Sequence, residues 1–169
     1  SLSSTLPHGV WGAVTDFAVF DEAARRVAAG LHDGAPQMAF VMSLSNHSPF
    51  TLPDDLPADV RARASAAVAH ACCAGESEDA LRATTYAYTD AALARFFATL
   101  DELHVSDRAV VVLAADHSTG HNYLWGDGDA TDDAKAQIPF LVVVPPAFLA
   151  RLPDRGAAVI AALTRAQAL

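Results

Sequence analysis

The sequence predicts an α/β fold, with a largely parallel sheet flanked by helices. Two observations predict it. Segments with helical spacing alternate with short apolar runs, and the runs (Met38–Leu44, Ala109–Ala115 and Ile138–Val144) are apolar on both faces, as strands covered on either side must be. A third observation is bulk: 169 residues, 52 % hydrophobic and 18 % charged, offset the ordering entropy of one domain. Three strands are few for such a sheet, so the expectation is that a short strand is missed or that part of the sheet lies outside the chain.

The first helix follows Asp16, an N-cap type of residue, with Phe17, Phe20, Ala24, Val27 and Leu31 at helical spacing up to Gly30–Gly34. After Pro36, Met38–Leu44 reads as a buried strand. The stretch Ser45–Pro53, with two prolines and an Asn, is the loop leaving its C-terminal end. Alanines make Pro57–Ala74 helical by propensity, and Gly75 stops it. Ser77, Glu78 and Asp79 open a longer helix whose apolar residues include Leu81, Ala92, Leu93, Phe96, Phe97, Leu100 and Leu103. Ala109–Ala115 fits a central strand. Ser118–Gln137, rich in Gly, Asp and Asn, reads as a long loop, a length usually reserved for function. Ile138–Val144 is the next strand, and Asp154–Leu169 a final amphipathic helix.

Charge and motifs exclude several function classes. With 11 Lys+Arg against 20 Asp+Glu, the net charge of −9 is wrong for gripping a nucleic-acid backbone. No apolar run nears the roughly 20 residues that span a bilayer, and Ser1–Gly9 lacks the basic-then-apolar pattern of a leader. Cys72 and Cys73 are adjacent on a helical stretch and point about 100° apart, unsuited to a mutual disulfide. Neither belongs to a zinc-type spacing, so both read as small helix residues. Dinucleotide, P-loop, nucleophile-elbow and zincin motifs are all missing from the sequence.

Ligands of open sheets gather beyond the carboxyl ends of strands. One such end carries Asp116-His117, a hard oxygen and a borderline nitrogen donor that can share a divalent ion. Capping of the next turn is the competing reading. The other end carries Ser45-Asn46-His47-Ser48-Pro49-Phe50, where His47 is placed to donate a hydrogen bond to an anionic oxygen or simply to face water. If their strands share a sheet, the two ends converge on one crevice. Loop residues His121, Asn122, Asp127, Asp129, Asp132 and Asp133 are weaker candidates, and Asp127-Gly-Asp129 lacks the later ligands of an EF-hand. Trp11-Gly12 would line a substrate groove or anchor a turn. Tyr86 and Asp90 read as an i,i+4 pair beside Tyr88, while His8, His32, His70 and His104 have no partner motif.

Four segments together resemble the C-terminal half of the sulfatase-type catalytic domain of the alkaline phosphatase superfamily, closest to the lipoteichoic acid synthase-like phosphoglycerol transferases. They are Trp11–Asp16 with Phe20-Asp21, Phe40–Phe50, Tyr88–Phe97, and Val110–Thr119 followed by Ile138–Pro145. The resemblance implies that Asp116 and His117 ligate one catalytic divalent metal, Mn²⁺ in the closest branch, with Mg²⁺, Zn²⁺ or Ca²⁺ compatible with the donors. It implies that His47 contacts an anionic phosphate- or sulfate-ester substrate. In the family a metal-activated Thr attacks phosphorus or sulfur, and an acceptor hydroxyl or water resolves the covalent intermediate. That nucleophile and a further acidic ligand lie upstream of these motifs. No catalytic nucleophile is therefore expected in residues 1–169, and the chain is expected to be a C-terminal portion, partnered by the N-terminal half of its parent. By itself it is expected to be soluble, to bind metal weakly and to be inactive.

The implied reaction is phosphoglycerol transfer to an extracytoplasmic glycan or lipid-linked acceptor, by a parent anchored upstream on the outer face of the cell membrane. Phosphoethanolamine transfer and sulfate-ester hydrolysis are the neighbouring reactions within the superfamily. A noncatalytic α/β binding module, or a small α/β domain in which Asp116-His117 only caps a turn, are the alternatives from other classes.

Overall fold

The computed structural model describes residues 6–71, 78–116, 138–151 and 155–166. It divides into two compact units, Ser1–Ser106 and Asp107–Leu169. The first is built on three helices, α1 (Asp16–His32), α2 (Ala58–Ala71) and α3 (Glu78–Glu102), with α1 and α2 each packed on α3. Its core takes Phe20, Ala24 and Ala28 from α1, Val60 and Ala64 from α2, and Tyr88, Ala92 and Leu100 from α3. These recur at three- and four-residue steps, so each helix turns one stripe inward. The alanines let the helices approach closely, and the rings fill the remaining space: Phe20 meets Phe96 at 6.0 Å and Phe17 meets Tyr88 edge-on at 5.1 Å. Burying one such phenylalanine contributes roughly 2 kcal/mol.

Two helix ends are closed the same way. Past α1, Gly34 donates to Leu31 O and Ala35 to Gly30 O, with Gly34 at φ +80°. Past α3, His104 donates to Asp101 O and Val105 to Leu100 O, with His104 at φ +57°. Both are Schellman stops, and the second carries the apolar contact that accompanies them, since Leu100 and Val105 are both buried. His104 therefore owes its left-handed backbone to helix termination, although a side chain is disfavoured there. The helix start differs from expectation. Thr15 holds the N-cap position and Asp16 is the first helical residue.

The buried strand expected over Met38–Leu44 is corrected. Residues 35–44 run without secondary structure, and Met38 and Phe40 are 96 % and 85 % exposed. The first unit contains no strand among its described residues, only an isolated bridge between His8 and Val14. An apolar run cannot form a ladder without backbone beside it to pair with.

In the second unit β1 (Val111–Ala114) pairs with β2 (Phe140–Val143) antiparallel, with Val111 opposite Val143 and Leu113 opposite Leu141. The largely parallel sheet is thus not what the described strands form. Val111 and Leu113 are half-buried while Val112 and Ala114 are exposed, the one-sided burial that antiparallel strands tolerate. Two short helices follow, α4 (Pro146–Ala150) and α5 (Gly156–Ala166), in contact with each other. A Cβ on Gly156 would stand 3.2 Å from Leu149 O, so glycine is what permits that approach. Among the described residues, no helix is long and apolar enough to cross a membrane.

Candidate functional site

His47 sits at the corner of two consecutive turns. Its N–H donates to Leu44 O at 3.0 Å, and its carbonyl accepts from Phe50 N–H at 2.9 Å. Pro49, joined to Ser48 by a cis peptide, stiffens the second turn. The ring is exposed, and Nδ1 lies 2.7 Å from Ser48 O. A carbonyl only accepts, so Nδ1 carries the hydrogen. In the neutral ring Nε2 then holds the lone pair; in the imidazolium it carries a second N–H. Nε2 can therefore donate to an anion only when the ring is protonated.

The structure brings His47 together with one other residue singled out in the sequence. The Trp11 ring lies 4.2 Å from the His47 ring, centroid to centroid, tilted by 54°. Trp11 occupies the tip of a small hairpin, in which Gly9 N–H donates to Ala13 O and Ala13 N–H to Val10 O. Its φ is +55° and it is 68 % exposed, with Gly12 beside it at φ +70°. Among the described residues, three non-glycine positions have positive φ: Trp11, Phe50 and His104. His104 is explained by helix termination. The other two flank His47, and sparsely populated backbone of this kind is tolerated where the surroundings enforce it, often at functional sites.

Beneath this corner runs a buried polar network that the sequence did not announce. Asp16, 2 % exposed, accepts through one carboxylate oxygen from the Ser43 and Thr89 hydroxyls, each at 2.8 Å. Its place in the first turn of α1 adds the favourable field of the helix N-terminus. The Thr89 hydroxyl is also 3.4 Å from Asn46 Oδ1, the residue preceding His47. Alongside, Asp55 accepts from Thr15 and Tyr88 hydroxyls, each at 2.7 Å, and the Tyr88 oxygen lies 3.4 Å from Phe17 N–H. Tyr88 is fully buried. Burial first, and the Asp55 carboxylate with it, hold its phenol well above the ordinary tyrosine value, against the pull of Thr15. Tyr88 therefore stays a neutral donor, tying the loop before α2 to α1 and α3. A single signal, hydroxyls and carboxylates at the edges of apolar stripes, was present in the sequence. It does not say which residues will meet.

Asp116 is an exposed residue in the bend just past β1, in the second unit. His117 lies outside the described residues, as do Cys72, Cys73, His121, Asn122, Asp127, Asp129, Asp132 and Asp133. Among the described residues there is no group of three or more His, Cys, Asp or Glu side chains that could hold a metal. An exposed carboxylate oxygen is a donor that hard divalent ions accept, so Asp116 is chemically suited to the expected ion. His32 and His104 are exposed.

A family model described as Sulfatase matches residues 3–165. The crystal structure of the lipoteichoic acid synthase LtaP from Listeria monocytogenes is similar at a TM-score of 0.58 and 20 % identity, covering 79 % of this chain and 33 % of that one. The likeness is one of fold, and the chain spans about a third of that protein's length. Among curated proteins none matches significantly.

Proposed function

Because the chain belongs to the sulfatase family, we propose that it contributes the anion-binding and part of the metal-binding apparatus to transfer or hydrolysis of phosphate or sulfate esters. Within that class the proposed reaction is phosphoglycerol transfer to an extracytoplasmic glycan or lipid-linked acceptor. The observation that carries the reading is the His47 corner, where Nδ1 is fixed on Ser48 O and Nε2 is left for an anionic oxygen beside Trp11. As imidazolium, His47 donates to the ester oxygen on which negative charge grows, holding and orienting the group to be transferred. The Trp11 ring lies against the His47 ring, tilted by 54°.

Asp116 and His117 are proposed as the ligands this chain offers to one divalent ion, manganese by analogy with the closest branch. When bound, such an ion neutralises charge on the ester and acidifies the attacking hydroxyl. The nucleophile and a further acidic ligand are proposed to come from a preceding portion of the parent protein, on the outer face of a membrane.

Metal titration tests the assignment. Asp116→Ala and His117→Ala should each weaken Mn²⁺ binding by tenfold or more, on the order of the loss expected for a ligand or its support. Unchanged affinity in both variants would remove the metal from this reading.

A further inference from the structure

We infer that Arg82 is a positioning residue for His47, acting through the ring of Phe50. The inference rests on the reading of His47 as the anion-binding group, and concerns what holds that group in place.

Phe50 closes the turn that His47 opens, since its N–H donates to His47 O at 2.9 Å. Its φ of +57° is one that a phenylalanine does not adopt unaided. Something must hold the residue there, and its side chain is buried, with 5 % of the residue exposed. The Arg82 guanidinium carbon lies 4.8 Å from the centre of that ring, within the range of a cation–π contact. The arginine side chain is itself only 15 % exposed, which strengthens the attraction by excluding water. Glu78 at 3.3 Å and Asp79 at 3.5 Å steer the guanidinium from the preceding turn of α3. With its charge engaged by these two carboxylates, Arg82 serves the ring and not the ester.

The opposite end of the loop lies against the same helix. Thr89, two turns further along α3, sits 3.4 Å from Asn46 Oδ1 while donating to Asp16. Asn46 and Phe50 bracket His47, and the two α3 residues meeting them are about 10 Å apart along a rigid axis. Helix α3 is thus a template for the His47 corner. Removing the Arg82 contact frees Phe50 to leave its left-handed conformation, the turn opens, and the His47 ring moves off Trp11.

Fluorescence and phosphate binding together test this. The chain has two tryptophans, and Trp125→Phe leaves Trp11 as the sole emitter. A protonated imidazole in contact with an indole quenches it, so Trp11 emission should fall as pH is lowered, and His47→Asn should abolish that fall. In this background Arg82→Met and Phe50→Leu should each cut the amplitude by half or more with the helical circular dichroism intact. Should Arg82→Met lose its helical signal, Arg82→Lys, which keeps the charge without the flat face, carries the same expectation. Affinity for inorganic phosphate should drop about three- to tenfold in Arg82→Met, and not at all when the same change is made on His47→Asn. Full quenching amplitude in the arginine variants would overturn the inference. So would an equal phosphate loss in both backgrounds, which would mean that the charge acts directly. Quenching that behaves as expected in a chain that does not bind phosphate would sink the anion-binding reading and leave the positioning role standing.

Discussion

Replacing Tyr88 with phenylalanine removes one oxygen from the centre of the polar network and keeps the ring that packs on Phe17. The lost contacts are the hydroxyl's 2.7 Å donation to Asp55 and the longer 3.4 Å contact from Phe17 N–H. A hydrogen bond to a charged acceptor contributes about 1.5–3 kcal/mol, while the long contact adds little. Asp55 keeps its bond from Thr15 and is only half-buried, so water can recover part of the loss. The expected cost is about 2 kcal/mol at neutral pH, a Tm drop of roughly 6 °C for a chain this long. The same contact predicts a pH dependence. Because burial raises the phenol above its unfolded value in the native state, its contribution is complete below about pH 10 and declines as pH rises past that point. The gap between the native chain and Tyr88→Phe should therefore narrow above about pH 10. Urea unfolding followed by circular dichroism at pH 7 and pH 11 measures both. A variant as stable as the native chain at pH 7, or a gap that widens at high pH, would refute the reasoning.

Three further outcomes are expected. Asp16→Ala removes the acceptor of the Ser43 and Thr89 hydroxyls, which water can partly replace because Ser43 is exposed, and should cost about 1.5–3 kcal/mol, with Asp16→Asn losing less because an amide oxygen still accepts; denaturant midpoints distinguish them. His104→Gly relieves a left-handed side-chain position, less the greater freedom of glycine in the unfolded chain, and should raise stability by about 0.5–1 kcal/mol. A thermal shift in the other direction would mean that the His104 side chain is needed. Phosphate held through Nε2 of His47 should bind at least about tenfold more weakly in His47→Asn, measured by calorimetry, and equal affinity would contradict the role.

The helices were legible in the sequence because their apolar spacing and stops are local. Phe20, Ala24 and Ala28 mark one face of α1, and Gly34 ends it as a Schellman glycine should. The start of α3 at Glu78 and the two short strands were equally readable. Strand partnership was not. An apolar run such as Met38–Leu44 states that it can be covered, while pairing depends on which backbone lies beside it. Strand direction is likewise invisible where both faces are apolar, and Val111–Ala114 proved antiparallel to its partner.

At the site, His47 stood out as a histidine between an asparagine and a proline turn, and Trp11 as an aromatic before a glycine. Their contact could not be read, since it joins a hairpin tip to a loop across long sequence separation. The same limit hid Asp16 and Tyr88, whose partners lie 27 to 73 residues away. Asp16 looked like a helix cap because an aspartate before an apolar stripe usually is one; here Thr15 takes that place and the carboxylate is turned inward. Phe50 appeared only as the end of the His47 motif, and Arg82 gave no signal at all. A left-handed phenylalanine is dictated by its surroundings and not by its own preference.

The most direct measurement is nitrogen-15 NMR of the histidine rings during titration with inorganic phosphate. It should show the Nε2 resonance of His47 moving toward the protonated form while Nδ1 keeps its hydrogen on Ser48, with the other histidines little changed. A His47 ring that is indifferent to phosphate at saturating concentration, or one whose Nδ1 carries no hydrogen, would contradict the account at its centre.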